Sequence, residues 1–266
     1  MRVEVVSDIH GNVADLARVA GSSEVLVVLG DLLDYVDYYD PGRGVLGTIF
    51  GAEAVGKLVG LRKAGDFDAF HSYDRYLWST LADPLQALDD VVAGLYGQVV
   101  SALADCPAVY LTLGNVDVEH VWRAVAPPRL RCLDGEVIEI DGIRLGFVGG
   151  GAVKTPPAGS PWQSFDRDYQ TFADRLVSLG SDYDVLCTHV PPKIPDLRFD
   201  TVAQRMEMYG PGLVEAIDRV QPRLALSGHI HHPRKQRVDR GRTPCVNVGY
   251  FKRKPTPFSF ETEDLR

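Results

Sequence analysis

Apolar and polar positions along this chain recur in one unit: a short run of Val, Ile and Leu stops abruptly, and a Gly, Asp, Asn or His follows. Val3, Val5 and Val6 open the pattern, which gives way to Ser7-Asp8-Ile9-His10-Gly11-Asn12. Short apolar runs of this kind predict buried strands. Residues 25–29 form a second run and end at Gly30-Asp31; residues 109–113 form a third and end at Gly114-Asn115. Further runs at 185–188 and 224–227 end at His189 and at Gly228-His229-Ile230-His231. A hairpin is predicted from 137–140 and 143–148 about Asp141-Gly142, closed by Gly149-Gly150-Gly151. Short strands at 245–248 and 258–260 complete the set.

Helical spacing fills the gaps. Asn12 caps a helix carrying Val13, Leu16, Ala17 and Ala20, and Gly21 ends it. Asp83 and Pro84 are the N-cap and first position of another, with Leu85, Leu88, Val91, Val92, Leu95 and Val99 on its apolar face. Two more are predicted over 165–179 and 213–220. Strand and helix in alternation predict an α/β fold whose strands deliver side chains to one edge. The stretch between Asp31 and Asn115 breaks the rhythm, being far longer than the roughly 30 residues of a βαβ unit. Residues 35–83 are therefore an insertion within a single domain spanning 1–266, either a cover over the site or a contact with a second copy of the chain.

Composition narrows the partners. The 266 residues suit one sizeable α/β core. A net charge of −8 with no basic stripe argues against a nucleic-acid groove. No signal-peptide pattern is read at the start, and no apolar stretch is expected to span a membrane. Cys106, Cys132, Cys187 and Cys245 are isolated, without a C-x-x-C pair, which favours a reduced, cytoplasmic setting.

The strand ends carry the chemistry. They read D-x-H, G-D, G-N, T-H and G-H-x-H, and supply Asp8, His10, Asp31, Asn115, His189, His229 and His231. Carboxylates, imidazoles and an amide at one edge form a donor set for divalent cations. In type, spacing and order these motifs closely resemble the calcineurin-like metallophosphoesterase family. The resemblance implies a four-layer α/β/β/α sandwich of two mixed sheets. It also implies a two-metal site, for Mn, Fe, Zn, Ni or Co: Asp8, His10 and His231 on one cation, Asn115, His189 and His229 on the other, Asp31 between them. Asp31, Asn115 and His189 count as catalytic as well. A hydroxide shared by the metals would attack the phosphorus of a small phosphoester.

One position departs from the family's G-N-H-[DE] pattern. Val116 stands where many members have a histidine thought to protonate the leaving oxygen. Hydrolysis of phosphodiesters is expected over that of monoesters. The alternatives are a phosphomonoesterase or nucleotide pyrophosphatase whose acid comes from the insertion, and a non-catalytic metal-binding scaffold. His71 and His120 are weak substitutes for the missing histidine. Asp117 reads as the N-cap of the next helix, His232 as a solvated loop residue, and Asp34 as a turn residue or a support behind the ligands. Gly149 to Gly151 with Lys154 read as a bare turn before a phosphate cradle, and Arg43 as a solvated loop residue before a phosphate clamp. Tyr35, Tyr38 and Tyr39, at the start of the insertion, are candidate substrate contacts.

Overall fold

The computed structural model describes residues 1–155 and 161–266. In chain order, β1 (Arg2–Val6) leads to α1 (Val13–Ala20) and β2 (Val25–Leu29). Three helices, α2 (Gly44–Lys63), α3 (Phe67–Ser79) and α4 (Pro84–Ala102), precede β3 (Ala108–Thr112). Next come α5 (Glu119–Val125), the hairpin of β4 (Glu136–Ile140) and β5 (Ile143–Val148), β6 (Gly151–Val153), β7 (Asp166–Asp168) and α6 (Tyr169–Ser178). Then follow β8 (Val185–Thr188), α7 (Pro195–Arg198), β9 (Phe199–Asp200), β10 (Arg205–Met206) and α8 (Leu213–Val220). The last strands are β11 (Leu224–Ser227), β12 (Arg237–Arg240), β13 (Thr243–Asn247) and β14 (Phe258–Glu261).

Two mixed sheets face each other. One has the order β14-β1-β2-β3, the other β12-β13-β11-β8-β5-β4. In the first, β1, β2 and β3 are parallel and β14 is antiparallel. In the second, β13, β11, β8 and β5 run parallel between antiparallel β12 and β4. Strand periodicity explains the layers, because alternate residues leave opposite faces. Val3, Val5, Val25 and Val27 turn inward against Leu145, Phe147, Val185 and Leu226. Val6, Leu26 and Val28 turn outward under Leu16, Leu88, Val92 and Val99 of α1 and α4. Leu186, Ala225 and Cys245 lie under Phe172, Leu213 and Ile217 of α6 and α8. The result is an α/β/β/α sandwich. Its parallel strands all finish at one edge.

The caps fall where the sequence places them at α1 and α4: Asn12 accepts from the Asp15 amide, and Asp83 from the Gln86 amide. The helix expected over 165–179 starts later. Asp168 caps it by accepting from the Gln170 and Thr171 amides, while 166–168 pair with β6.

The insertion is an ordered loop, 34–43, followed by α2 and α3. Val45, Leu46, Val55, Leu58 and Trp78 are buried in the same cluster as α1 and α4. One expectation needs correction here: α2, at 20 residues and mean hydropathy 1.4, is long and apolar enough to cross a membrane by length and composition. In the fold the helix is broken at Gly51, where φ is 81°, and its aliphatic side packs on the domain.

Candidate metal centre

Each donor sits at the first bend beyond a strand. Asp8 and His10 follow β1, Asp31 follows β2, Asn115 follows β3, His189 follows β8, and His229 and His231 follow β11. The bends are tight: Asp8, His10, Asp31 and His229 have φ of 58°, 44°, 52° and 65°. Hydrogen bonds between neighbouring loops hold them, from the Asp8 amide to the Gly30 carbonyl (3.0 Å) and from the His10 amide to the Asp31 carbonyl (2.9 Å). Gly114 lies so close to Asp31, and Gly228 to Ser7 and Asp8, that a Cβ at either would collide.

Two groups of donors result, Asp8–His10–His231 and Asp31–His189–His229, each with its ligand atoms within 4.8 Å of one another. His10 Nδ1 donates to the Leu33 carbonyl (2.8 Å) and His189 Nδ1 to the Leu29 carbonyl (2.8 Å). A carbonyl only accepts, so each Nδ1 carries a proton and each ring turns Nε2 inward, where a cation or a second proton can bind. His10 Nε2 lies 3.1 Å from His231 Nε2, and His189 Nε2 lies 3.0 Å from Asn115 Oδ1. Asp31 reaches both groups, with Oδ2 3.6 Å from His10 Nε2 and Oδ1 3.3 Å from His189 Nε2. Its Oδ1 also accepts from the Val116 amide (3.0 Å). Asp8 Oδ1 and His229 Nε2 are buried without a hydrogen-bond partner among the described residues. Acceptor atoms facing each other at these spacings repel unless protons or cations stand between them, and the donor types suit divalent cations.

The charges behave accordingly. Burial opposes ionisation of Asp8, but the His10 and His231 imidazoles beside it, 3.8 and 3.3 Å from Oδ1, outweigh it and hold the carboxyl well below its usual range. Burial would lower His10, yet the adjacent Asp8 carboxylate and the Asp31 charge raise it to about 9. His189 likewise rises to about 9 against burial, chiefly through the Asp31 charge. His229 falls to about 4 through burial and the neighbouring His189.

Other expected residues find different places. Asp117 is not an N-cap: Val118 holds that position without a side-chain cap. Asp117 is fully buried and accepts from the backbone amides of Leu32 (3.0 Å), Leu33 (3.3 Å) and Gly114 (2.8 Å). It thus ties the Asp31 loop to the Asn115 loop. Burial and the Asp31 charge raise its carboxyl to about 7. Asp34 stands behind His10, 3.8 Å from Nδ1, and pairs with Lys252. The amides of Gly149, Gly150 and Gly151 are spent on Asp134, Leu113 and Phe165, so that run is a turn and not a cradle. Arg43 borders a separate cavity of about 220 Å³ behind His10. His120 pairs with Asp89 (3.0 Å) and His71 meets Phe70 edge to face, and neither borders the cleft.

That cleft, of about 600 Å³, opens over both donor groups. Tyr35, Tyr38 and Tyr39 border it from the insertion, and Asp200, Arg205 and Glu207 from the β9–β10 hairpin. Tyr35 packs on Trp162 with ring centroids 4.2 Å apart. Arg62 lies over Tyr38 and Arg253 over Tyr39. The sequence reading missed the end of β13 and the segment after it. There Asn247 donates to the carbonyls of Gly228 and Ile230, Tyr250 stacks on His231, and Lys252 binds Asp34 and Asp37. Its signal was present: 245–248 is one more apolar run ending at this edge.

Facing mixed sheets with carboxylate and imidazole donors at one edge define the frame of a metal-dependent hydrolase. The family model for calcineurin-like phosphoesterases matches residues 1–233, and the chain belongs to that family. Its members bind divalent metals and hydrolyse phosphoric esters. Among solved structures, TT1561 of Thermus thermophilus aligns over 100% of this chain and 99% of its own, with TM-score 0.53 and 12% identity. Another crystal structure aligns over 94% of this chain and 91% of its own, with TM-score 0.57 and 13% identity. At such identities the likeness is one of fold. No curated protein matches the chain in sequence.

Proposed function

We propose that this protein hydrolyses phosphodiesters of small molecules with two divalent cations. Asp8, His10 and His231 would hold one, Asn115, His189 and His229 the other, and Asp31 both. The observation that carries the reading is Asp31, whose two oxygens face different donor groups at 3.6 and 3.3 Å. A carboxylate there offsets the repulsion of a cation pair. When bound, such a pair supplies Lewis-acid stabilisation of phosphoryl oxygens and a water activated near neutral pH. The chain's own residues do the rest. The Leu33 and Leu29 carbonyls fix the tautomers of His10 and His189, Asp117 locks two ligand loops, and the insertion walls the cleft. We place the protein in a reducing compartment, a reading supported by four cysteines that are all free.

Diesters are favoured because Val116 offers only a backbone amide, already used by Asp31. Purified protein should carry close to two equivalents of a transition metal and cleave bis-para-nitrophenyl phosphate faster than para-nitrophenyl phosphate. Faster monoester turnover would replace the reading with a monoesterase. Metal binding without turnover of either would leave a scaffold.

A further inference from the structure

The Val116 position leaves open what the cleft offers to the oxygen that departs. Most proton-bearing side chains there are already engaged. The Lys252 ammonium is held by Asp34 and Asp37. Arg205 pairs with Glu207 at 2.6 Å, and the His232 ring leans towards Asp200 at 3.8 Å. Tyr39 is 75% exposed at the rim.

Tyr250 differs from all of these. Its ring lies flat on His231, centroids 3.8 Å apart and planes 5° apart, and stands edge-on to His10 at 5.8 Å. It borders the cleft, and its hydroxyl has no hydrogen-bond partner among the described residues. The backbone around it is fixed from two sides. The Asn247 amide group donates to the Gly228 and Ile230 carbonyls, and the Phe251 and Lys252 amides donate to the Ser7 and Asp8 carbonyls at 3.2 and 3.0 Å. Both loops carrying the first donor group therefore position this ring. A donor held in this way costs no reorganisation when charge develops beside it.

We infer that the Tyr250 hydroxyl is a catalytic hydrogen-bond donor to the leaving oxygen of the phosphodiester. The inference rests on the phosphodiesterase reading above. In the step concerned, a water oxygen bonds to phosphorus and its proton passes to solvent. The bond from phosphorus to the leaving oxygen breaks, and its electron pair stays on that oxygen. The phenol O–H donates to the charge that builds there and keeps its own proton. Help of this kind matters most for poor leaving groups.

The test compares wild type, Tyr250→Phe and Tyr250→Leu on diphenyl phosphate and bis-para-nitrophenyl phosphate, with Mn²⁺ affinity measured by calorimetry. Tyr250→Phe keeps the stack and should bind Mn²⁺ as wild type does. It should lose ~10²-fold in kcat/KM on diphenyl phosphate, the scale of one transition-state donor. On the nitrophenyl diester it should lose no more than about threefold, since that leaving group needs little help. Tyr250→Leu should weaken Mn²⁺ binding as well. Equal losses on both substrates, no loss, or altered Mn²⁺ affinity in Tyr250→Phe would overturn the inference and leave the hydrolase reading intact. A wild type that binds Mn²⁺ but cleaves neither diester would overturn both.

Discussion

Four of the donors hold a left-handed backbone that residues with a side chain avoid, at a cost of about 1–3 kcal/mol each. The surroundings must over-determine them, and Asp117 is where that is most visible. Its two oxygens accept three backbone amides, from Leu32, Leu33 and Gly114, and sit near the Tyr96 hydroxyl. Asp117→Asn would turn an NH₂ towards one of those amides, leaving a buried donor facing a donor. The expected loss is about 1–3 kcal/mol of stability, readable by urea unfolding. Because the bound amides follow Asp31 and precede Asn115, metal affinity should weaken in the same variant; unchanged affinity would make Asp117 a purely structural tie. Asp31→Asn is the sharper change. Removing the charge of the proposed bridge should lower activity by at least ~10³-fold and reduce the bound metal. Near-wild-type rate with unchanged metal content would refute the two-metal assignment.

Elements locate these residues, and the segment after β13 does so for the insertion. Lys252 joins it to the loop before α2 through Asp34 and Asp37, all three side chains at most 16% exposed. Removing one partner of a buried ionic cluster leaves the others uncompensated, so Lys252→Met should cost about 3 kcal/mol. It should also raise KM more than it lowers kcat, because the loop it frees carries Tyr35, Tyr38 and Tyr39. Adding Asp34→Asn and Asp37→Asn to that variant should recover part of the stability. A kcat effect alone would argue that the loop is no part of the substrate wall. Excising the insertion is a poor probe, since Val45, Leu46, Val55 and Leu58 cover α1 and α4. The strand ends were legible in the sequence because each apolar run breaks into residues whose chemistry is metal binding. Asn247 lies within a similar run and Tyr250 and Lys252 follow it, but they are ordinary side chains, and their meaning comes from loops far away in the chain. Asp117 was misread for the related reason that local capping rules do not register a partner at Leu32.

At the scale of the molecule, the sandwich gathers two ionised carboxylates and four imidazoles at one edge of its sheets, and their folding energy depends on what neutralises them. Without cations, His10 and His189 hold protons up to about 9, whereas an unfolded histidine releases its proton near 6.5. A group raised on folding stabilises fully below its unfolded value and loses that contribution as pH climbs through the folded one. His229, lowered to about 4, is neutral in both states above 6.5 and adds no slope there. The metal-free protein should therefore lose stability between pH 6.5 and 9 through His10 and His189. Cations bound as proposed would replace those protons, and metal binding to imidazole strengthens as protons leave. A ligand at 1,000 times its Kd adds about 4 kcal/mol to the folded state. Melting curves with a chelator and with excess Mn²⁺ should thus diverge as pH rises from 6.5 to 9, the chelated sample falling while the loaded one holds. If the two curves stay parallel across that range, protons and cations are not sharing these imidazoles.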